Sequence, residues 1–567
     1  MSFIVPKRTN TYADILEAVG LASLIEELTG SGVRIIEHGD CYMLEGKEIP
    51  KIFEEWPKIE PGYPFIYLKK DGTPPAGWVL HYDKEKEKAE AQREFRKAVD
   101  KKRQKILQAL QEQGIDGPPS PAAEYKMALF LAMMRKGWSS DKQLFLWLSE
   151  DAKRTASWIK ANLENRPGSV ESPSVTNSQV FNPVSGKGVH RPKPDSTTPG
   201  SISGEVVNPF SEWLKYRGAY RAMLPYRVGG DFKVFVIEPG DIRLSELIKL
   251  HIELRALGFW GRGSGLFLEI ETLLRLTELL IQHSDVMGNF ISLRRKRPAD
   301  TVRGLHQAFF QSLGTAAALM NYSFTALPSW FEVNDKEDAN AYFRLIHSFV
   351  GRKDKDGVTG SLLSLNEDHS DDVLVLQQFR RWLANGDLKE FLLFCCRFAV
   401  HVMERMGRDE WVVKLSTQNL DTILLRGYNM QDIVGRKGFK SVARAVREAT
   451  VYALKMQNQK KHEREVHFGL AQKWKQKIKG GNEEFTAVLA EFVQQYNWES
   501  ENLDIKLPGD GWKHHKVNVS DMDEIISLIN QYGAELVGML LLAYGYARTP
   551  KQDALEQEIE YETEEVS

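Results

Sequence analysis

An α+β fold, mixed in its N-terminal region and ending in a C-terminal α-helical bundle, is what this sequence predicts, on three observations. Short β-rich runs at 33–37, 65–68 and 77–82, and above all Phe232-Lys233-Val234-Phe235-Val236-Ile237-Glu238, fall in the first half of the chain. From Asp371 to about Ala547 nearly every segment places apolar residues at steps of three and four, broken only at Gly386, Gly407, Gly480-Gly481 and 508–511. The chain's 567 residues, 42% hydrophobic and 27% charged, are enough for two or three cores of an ordinary globular protein.

Taken in order, residues 1–165 read as an α+β region. Tyr12, Ile15, Leu16, Val19, Leu24 and Leu28 share one helix face that closes at Gly30. The strand-like runs follow, and 84–112 then mixes signs densely, as an exposed helix does. Segments 125–134 and 144–163 are amphipathic and carry Trp147 and Trp158. Residues 166–209 hold seven of the 23 prolines with many Ser, Thr and Gly, a composition that cannot bury enough to fold alone. Within them, Gly186-Lys187-Gly188 frees the backbone to turn amides toward an anion, and Lys187, Arg191 and Lys193 supply charge. A nucleic-acid contact and a plain linker are both open readings of that loop.

Residues 210–370 continue the α+β domain. Asn208-Pro209-Phe210-Ser211-Glu212-Trp213 is a capped helix start, and the strand at 232–238 ends at Pro239-Gly240 before a helix at 244–257. The glycine-rich 258–265 matches no nucleotide-binding pattern and reads as a loop. Arg294-Arg295-Lys296-Arg297 is a dense basic cluster. The bundle is assigned to 371–550, and 551–567 is an acidic, solvated tail.

The three cysteines, Cys41, Cys395 and Cys396, have no metal-ligand spacing, and Met1–Arg8 lacks the apolar core of a signal peptide. The longest apolar runs are too short to span a bilayer, so the expectation is a cytoplasmic protein with no membrane partner. No HExxH, GxSxG or paired carboxylates in an apolar frame occur, and His514-His515 is expected at the surface. The expectation is therefore a non-enzyme with no cofactor and no metal.

Charge is distributed less evenly. Between Arg426 and Lys479 lie fourteen Lys or Arg and four acids, a local +10 in a chain of net −2. Phe439, Val442, Val446, Ala449, Ala453 and Met456 step along one face, while Lys437, Lys440, Arg444, Arg447 and Lys455 step along another. With few acids to neutralise them, these residues, together with Arg426, Lys473 and Lys475, predict a ridge facing a phosphate backbone. Trp474, set among lysines, is the aromatic best placed for base stacking.

Several stretches resemble the large subunits of type I CRISPR Cascade complexes, nearest to the I-B or I-A branch. They are Tyr12-Ala13-Asp14-Ile15-Leu16-Glu17-Ala18-Val19-Gly20-Leu21-Ala22, Asn182-Pro183-x-x-Gly186-Lys187-Gly188, Asn208-Pro209-Phe210-x-Glu212-Trp213-Leu214, and Val234-Phe235-Val236-Ile237-Glu238-Pro239. Gly438-Phe439 with Ala443-Arg444-Ala445-Val446-Arg447-x-x-Thr450 is similar to the family's small-subunit-like helical part. The resemblance implies a non-catalytic subunit of an RNA-guided complex, with crRNA-bearing backbone and small subunits as partners. It implies reading a protospacer-adjacent motif in target double-stranded DNA, opening the duplex into an R-loop, holding the displaced single strand, and recruiting a helicase-nuclease in trans. Lys187, Arg191, Lys193, Arg294, Arg295 and Arg297 are then expected on duplex. Arg426, Lys437, Lys440, Arg444, Arg447, Lys455, Lys473 and Lys475 are expected on the single strand. Two rival readings stand beside this one: a metal-dependent nuclease with a dispersed carboxylate site, and a helical scaffold that binds only protein.

Overall fold

The computed structural model describes residues 2–50, 65–67, 79–81, 94, 98, 100–112, 144, 147–148, 150–173, 180–183, 208–228, 231–257, 265–287, 298–313, 316–328, 330–351, 360–460, 464–506 and 514–549. The fold is α+β, with two compact units, Met1–Leu327 and Pro328–Ser567. The division falls well before residue 371, because the helix Lys336–Val350 places Tyr342 and Phe349 in the aromatic core of the C-terminal unit.

In the N-terminal unit, β1 (Ser2–Pro6) leads into α1 (Tyr12–Thr29). Thr11 caps α1 by accepting from the Ala13 amide, and Gly30 ends it at φ 61°, where a glycine carries no steric penalty. Helix α1 is buried well beyond one stripe, and its main partner is α4 (Pro209–Ala222). Glycine decides that contact. A Cβ on Gly20 would lie 1.9 Å from the Leu214 carbonyl oxygen, and one on Gly218 would lie 1.9 Å from that of Leu16. Each helix presses its backbone into the other's glycine, so any side chain at either position has to drive the pair apart. Arg217 then bonds across to Ser23 (3.0 Å) and Glu27 (2.7 Å).

Strands β2 (Arg34–His38), β3 (Cys41–Glu45) and β8 (Asp241–Arg243) join β1 in an antiparallel sheet of order β1-β3-β2-β8. A second antiparallel sheet has the order β10-β9-β7-β6, from β6 (Met223–Val228), β7 (Asp231–Pro239), β9 (Val302–Leu313) and β10 (Ala316–Ala326). Val234, Phe235, Val236 and Ile237 of central β7 are all buried. A small parallel pair, β4 (Phe65–Tyr67) and β5 (Val79–His81), answers to the runs read at 65–68 and 77–82. Helices α2 (Asp100–Glu112), α3 (Ala152–Leu163), α5 (Leu244–Ala256) and α6 (Gly265–Gln282) also belong to the unit, with a single helical turn at Pro298–Thr301, and the helix expected at 125–134 lies outside the described residues.

Between the strands sits a buried polar network. Glu238 accepts from Tyr42 Oη (3.0 Å) and Lys7 Nζ (3.3 Å) and bonds His306 Nε2 (2.9 Å), whose Nδ1 meets Tyr322 Oη at 2.6 Å. Burial alone would raise the Glu238 carboxyl; the bonds from His306, Lys7 and Tyr42 overcome it and hold it below its usual range.

The C-terminal unit is helical, comprising α7 (Lys336–Val350), α8 (Ser370–Asn385), α9 (Leu388–Gly407), α10 (Lys437–Arg447), α11 (Ala453–Asn458), α12 (Leu470–Ile478), α13 (Asn482–Lys506), α14 (Val519–Tyr532) and α15 (Ala534–Gly545). Trp330 and Trp382 stack at 5.5 Å, and Phe349, Phe379, Phe391 and Phe394 pack around them. Gly386 closes α8 at φ 62°, the left-handed cap expected of that break. Helices α10 and α11 are one continuous rod joined by a π-helical turn, Glu448–Tyr452, and that turn governs where the basic side chains go.

Candidate nucleic-acid interface

The loop candidates Lys187, Arg191 and Lys193, and Arg294, Arg295 and Arg297, lie outside the described residues. The point from which the first group departs is described. Buried Asn182 donates from Nδ2 to both Glu212 carboxylate oxygens at 3.0 Å, and Lys215 Nζ donates to Asn182 Oδ1 (2.7 Å) and Glu212 Oε1 (3.0 Å). Two motifs about 30 residues apart, Asn182-Pro183 and Asn208–Leu214, are thus one hydrogen-bonded unit, with Phe181 edge-on to Tyr216 beside it.

The expected ridge of the C-terminal unit is not continuous. Lys437, Lys440 and Lys455 are exposed. Arg444 is not free, because its Nε donates to Glu448 Oε1 at 2.9 Å. Arg447 is mostly buried and donates to Thr549 Oγ1 (2.7 Å) and the Tyr544 carbonyl (2.8 Å), and burial pushes its guanidinium down to about 10. Arg426 pairs with Glu337 at 2.7 Å and with Asp338, and Lys473 with Glu491 at 3.3 Å. Lys475 is half-buried, and burial and then the Arg397 charge hold its ammonium below the usual range. Trp474 is fully buried against Phe485 and Phe492, which rules it out as a stacking platform.

Two physical reasons separate expectation from structure. The acids that neutralise the stripe come from outside it or from one helical turn on, so counting acids along 426–479 undervalues Glu448, Glu337 and Asp338. The π-turn also absorbs one extra residue, which rotates everything after it by about 100° relative to an unbroken α-helix. Lys455 therefore lies two turns above Arg447 and leaves the line through Arg444.

Glu448, at the start of that turn, anchors a buried network. It accepts from Tyr496 Oη at 2.6 Å and from Arg444, and Arg464 lies 3.7 Å away. His515 bridges Tyr496 (Nδ1, 3.1 Å) and Ser441 (Nε2, 3.1 Å), and Ser441 donates to Asp521 at 2.7 Å. Thus His515 is half-buried and held at both ring nitrogens, not a free surface histidine, whereas His514 pairs with Asp504 at 2.7 Å. Burial, aided by Arg444 and Arg464 and opposed by Glu448 and Asp521, lowers the His515 imidazolium to about 4.

The sign of the resulting pH dependence follows. Above pH 6.5 the ring is neutral in folded and unfolded chains, and its contribution to stability is complete. Below that the unfolded chain takes the proton first, so the C-terminal unit loses up to about 3 kcal/mol as pH falls toward 4. Denaturant titrations at several pH values between 7 and 4 are expected to show this slope, and His515→Asn to show a shallower one.

A second group of cations does lie together. Leu415 and Thr417 form a short strap against Arg548: the Arg548 amide donates to the Leu415 carbonyl (2.8 Å) and the Thr417 amide to the Arg548 carbonyl (3.0 Å). Thr549, next in the chain, receives Arg447, and Lys414 precedes the strap. Burial pushes the Lys414 ammonium down to about 8, and the charges acting on it are Lys455, Arg447 and Arg548, all cations. Among the described residues no hydrogen bond or ion pair holds the Lys414 or Lys455 ammonium. Two exposed aromatics are close to the group in sequence, Trp411 (50% exposed) three residues before Lys414 and Tyr452 (42% exposed) three residues before Lys455. Repelling cations gathered in one place are suited to a polyanion. Sequence reasoning missed Lys414 and Arg548 because they are isolated in sequence and meet only where the strap pairs with the end of α15.

Among the described residues, no group of three or more His, Cys, Asp or Glu is placed to hold a metal ion, and no helix is long and apolar enough to cross a membrane. No protein-family model matches the chain, and no curated protein matches it.

Proposed function

We propose that this chain is a non-catalytic nucleic-acid-binding subunit of an RNA-guided surveillance complex of the Cascade type. In this reading the N-terminal unit grips the duplex beside a protospacer-adjacent motif, and the C-terminal unit holds the displaced single strand. A helicase-nuclease is recruited in trans, and the guide RNA supplies sequence recognition by base pairing. The observation that carries the reading is the gathering of Lys414, Arg447, Lys455 and Arg548, in which every charge acting on the Lys414 ammonium is a cation. The clamp between Asn182 and Glu212 adds support, since it couples two of the motifs on which the resemblance rests.

The test is purification of the tagged chain from cells that express it at natural levels, followed by gel shift with duplex and single-stranded DNA. A small RNA of uniform length and several companion proteins are expected to come with it. Recovery as a lone protein with no affinity for DNA at low salt would overturn the reading. Metal-dependent cleavage that a chelator abolishes would point to the nuclease instead.

A further inference from the structure

Between α12 and α13 the C-terminal unit holds a cavity of about 350 Å³. Its floor is aromatic and buried, made by Trp474 and Phe492, with His467 edge-on to Phe492. Its rim is exposed: Phe468 is 50% exposed, and Lys473 and Gln495 flank it. Two polar atoms in the wall lack a hydrogen-bond partner, Trp474 Nε1 and His467 Nε2, the latter 3.7 Å from Glu499. Open at its rim and floored by aromatic rings, the cavity is shaped for a compact ligand.

The chemistry narrows what that is. The volume lies at the small end of the range for compact ligands. Phe468 leaves half its surface exposed, and the Gln495 amide on the rim offers both a donor and an acceptor. The Lys473–Glu491 pair across the mouth is solvent-exposed on both sides, so it is held weakly and swings aside at little cost. A flat heteroaromatic ring with hydrogen-bonding edges suits these walls better than an aliphatic chain. The cavity is also tied to the cation group, since the His467 amide donates to the Ala449 carbonyl at 2.9 Å. That bond fixes the rim of the cavity to the π-turn lying between Arg447 and Lys455.

We propose that this cavity receives one unpaired nucleobase of a strand whose phosphates lie on Lys414, Lys455 and Arg548. The inference rests on the nucleic-acid reading above and adds to it a discrete base site. A base enters only from a single strand, because a paired one is not free to turn out of the stack.

The test uses the full chain with two single-stranded oligonucleotides of equal length and charge. One carries 2-aminopurine among its bases, and the other is abasic over the same stretch. Wild-type binding is expected to change the 2-aminopurine fluorescence and to favour the base-bearing strand by about tenfold. Phe468→Ala and Gln495→Ala, both at exposed positions, are expected to shrink that preference while leaving affinity for the abasic strand unchanged. Equal affinity for the two strands, in a chain that still needs Lys414 and Lys455 to bind, would overturn the base site and leave the broader reading standing. No affinity for either strand would remove both. If Phe468→Ala strips a companion protein from the purified assembly and leaves strand binding intact, the cavity belongs to a protein partner and the proposal fails.

Discussion

Replacing Lys414, Lys455 and Arg548 together with alanine is expected to weaken single-strand binding roughly 50-fold at physiological salt. It should also flatten the slope of log affinity against log salt by about two. Each phosphate contact on a single strand releases about 0.7 of a counterion, and three lost contacts give about 2.1 units of slope; the affinity loss follows from that slope. Among the described residues no hydrogen bond or ion pair ties the charged ends of these three to the fold, unlike Arg447 with Tyr544 and Thr549 or Arg444 with Glu448. Removing cations that repel one another leaves the fold intact, so circular dichroism melts of the variant are expected to match wild type. Affinities measured at four or five salt concentrations decide the matter, and an unchanged slope removes the three residues from the interface.

Glu448→Ala is expected to unfold the C-terminal unit at a melting temperature lower by on the order of 10 °C. The carboxylate pairs with both Arg444 and Arg464, and it also accepts from Tyr496 at 2.6 Å. Burial raises its carboxyl and the surrounding donors, Arg444 first and then Tyr496, more than offset that, so it stays ionised below the usual carboxylate range. Deleting the carboxylate leaves Arg464, whose side chain is only 4% exposed, charged without its acid, and losing one partner of a buried pair costs about 3–5 kcal/mol. In a unit of this size each kcal/mol moves the midpoint by about 2–4 °C. Calorimetry of the variant reads this directly; a midpoint within about 2 °C of wild type would mean that Arg444 and Arg464 find other partners at no cost.

Local rules made part of this fold legible. The Asn208 cap, the closing Gly30 and Gly386, and the apolar run at 234–237 are encoded within a few residues of where they act. The β9–β10 hairpin was not legible. His306, Gln307 and Gln311 interrupt the apolar pattern of β9, and what holds His306 is Glu238, 68 residues away. The close crossing of α1 and α4 was hidden for a similar reason: Gly20 and Gly218 look like mild helix weakeners until each is seen against the other's backbone. In the basic region the charges themselves were legible but their partners were not. Lys437, Lys440 and Lys455 emerge exposed as the spacing implied, whereas Arg426, Arg444 and Lys473 are neutralised by acids and Arg447 is tied to Tyr544 and Thr549 within the fold. The cation group that replaces the ridge is built by one strap meeting the end of one helix, and no pattern along the chain announces such a meeting.

Selective acylation of lysines, with and without a saturating single-stranded oligonucleotide, tests the central claim most directly. An ammonium lowered to about 8 loses its proton readily, so Lys414 should label quickly wherever the reagent reaches it. The account predicts that Lys414 and Lys455 are labelled in the free chain and protected in the bound one. Equal labelling of both residues in the two states, with the oligonucleotide demonstrably bound, would place the strand elsewhere and contradict it.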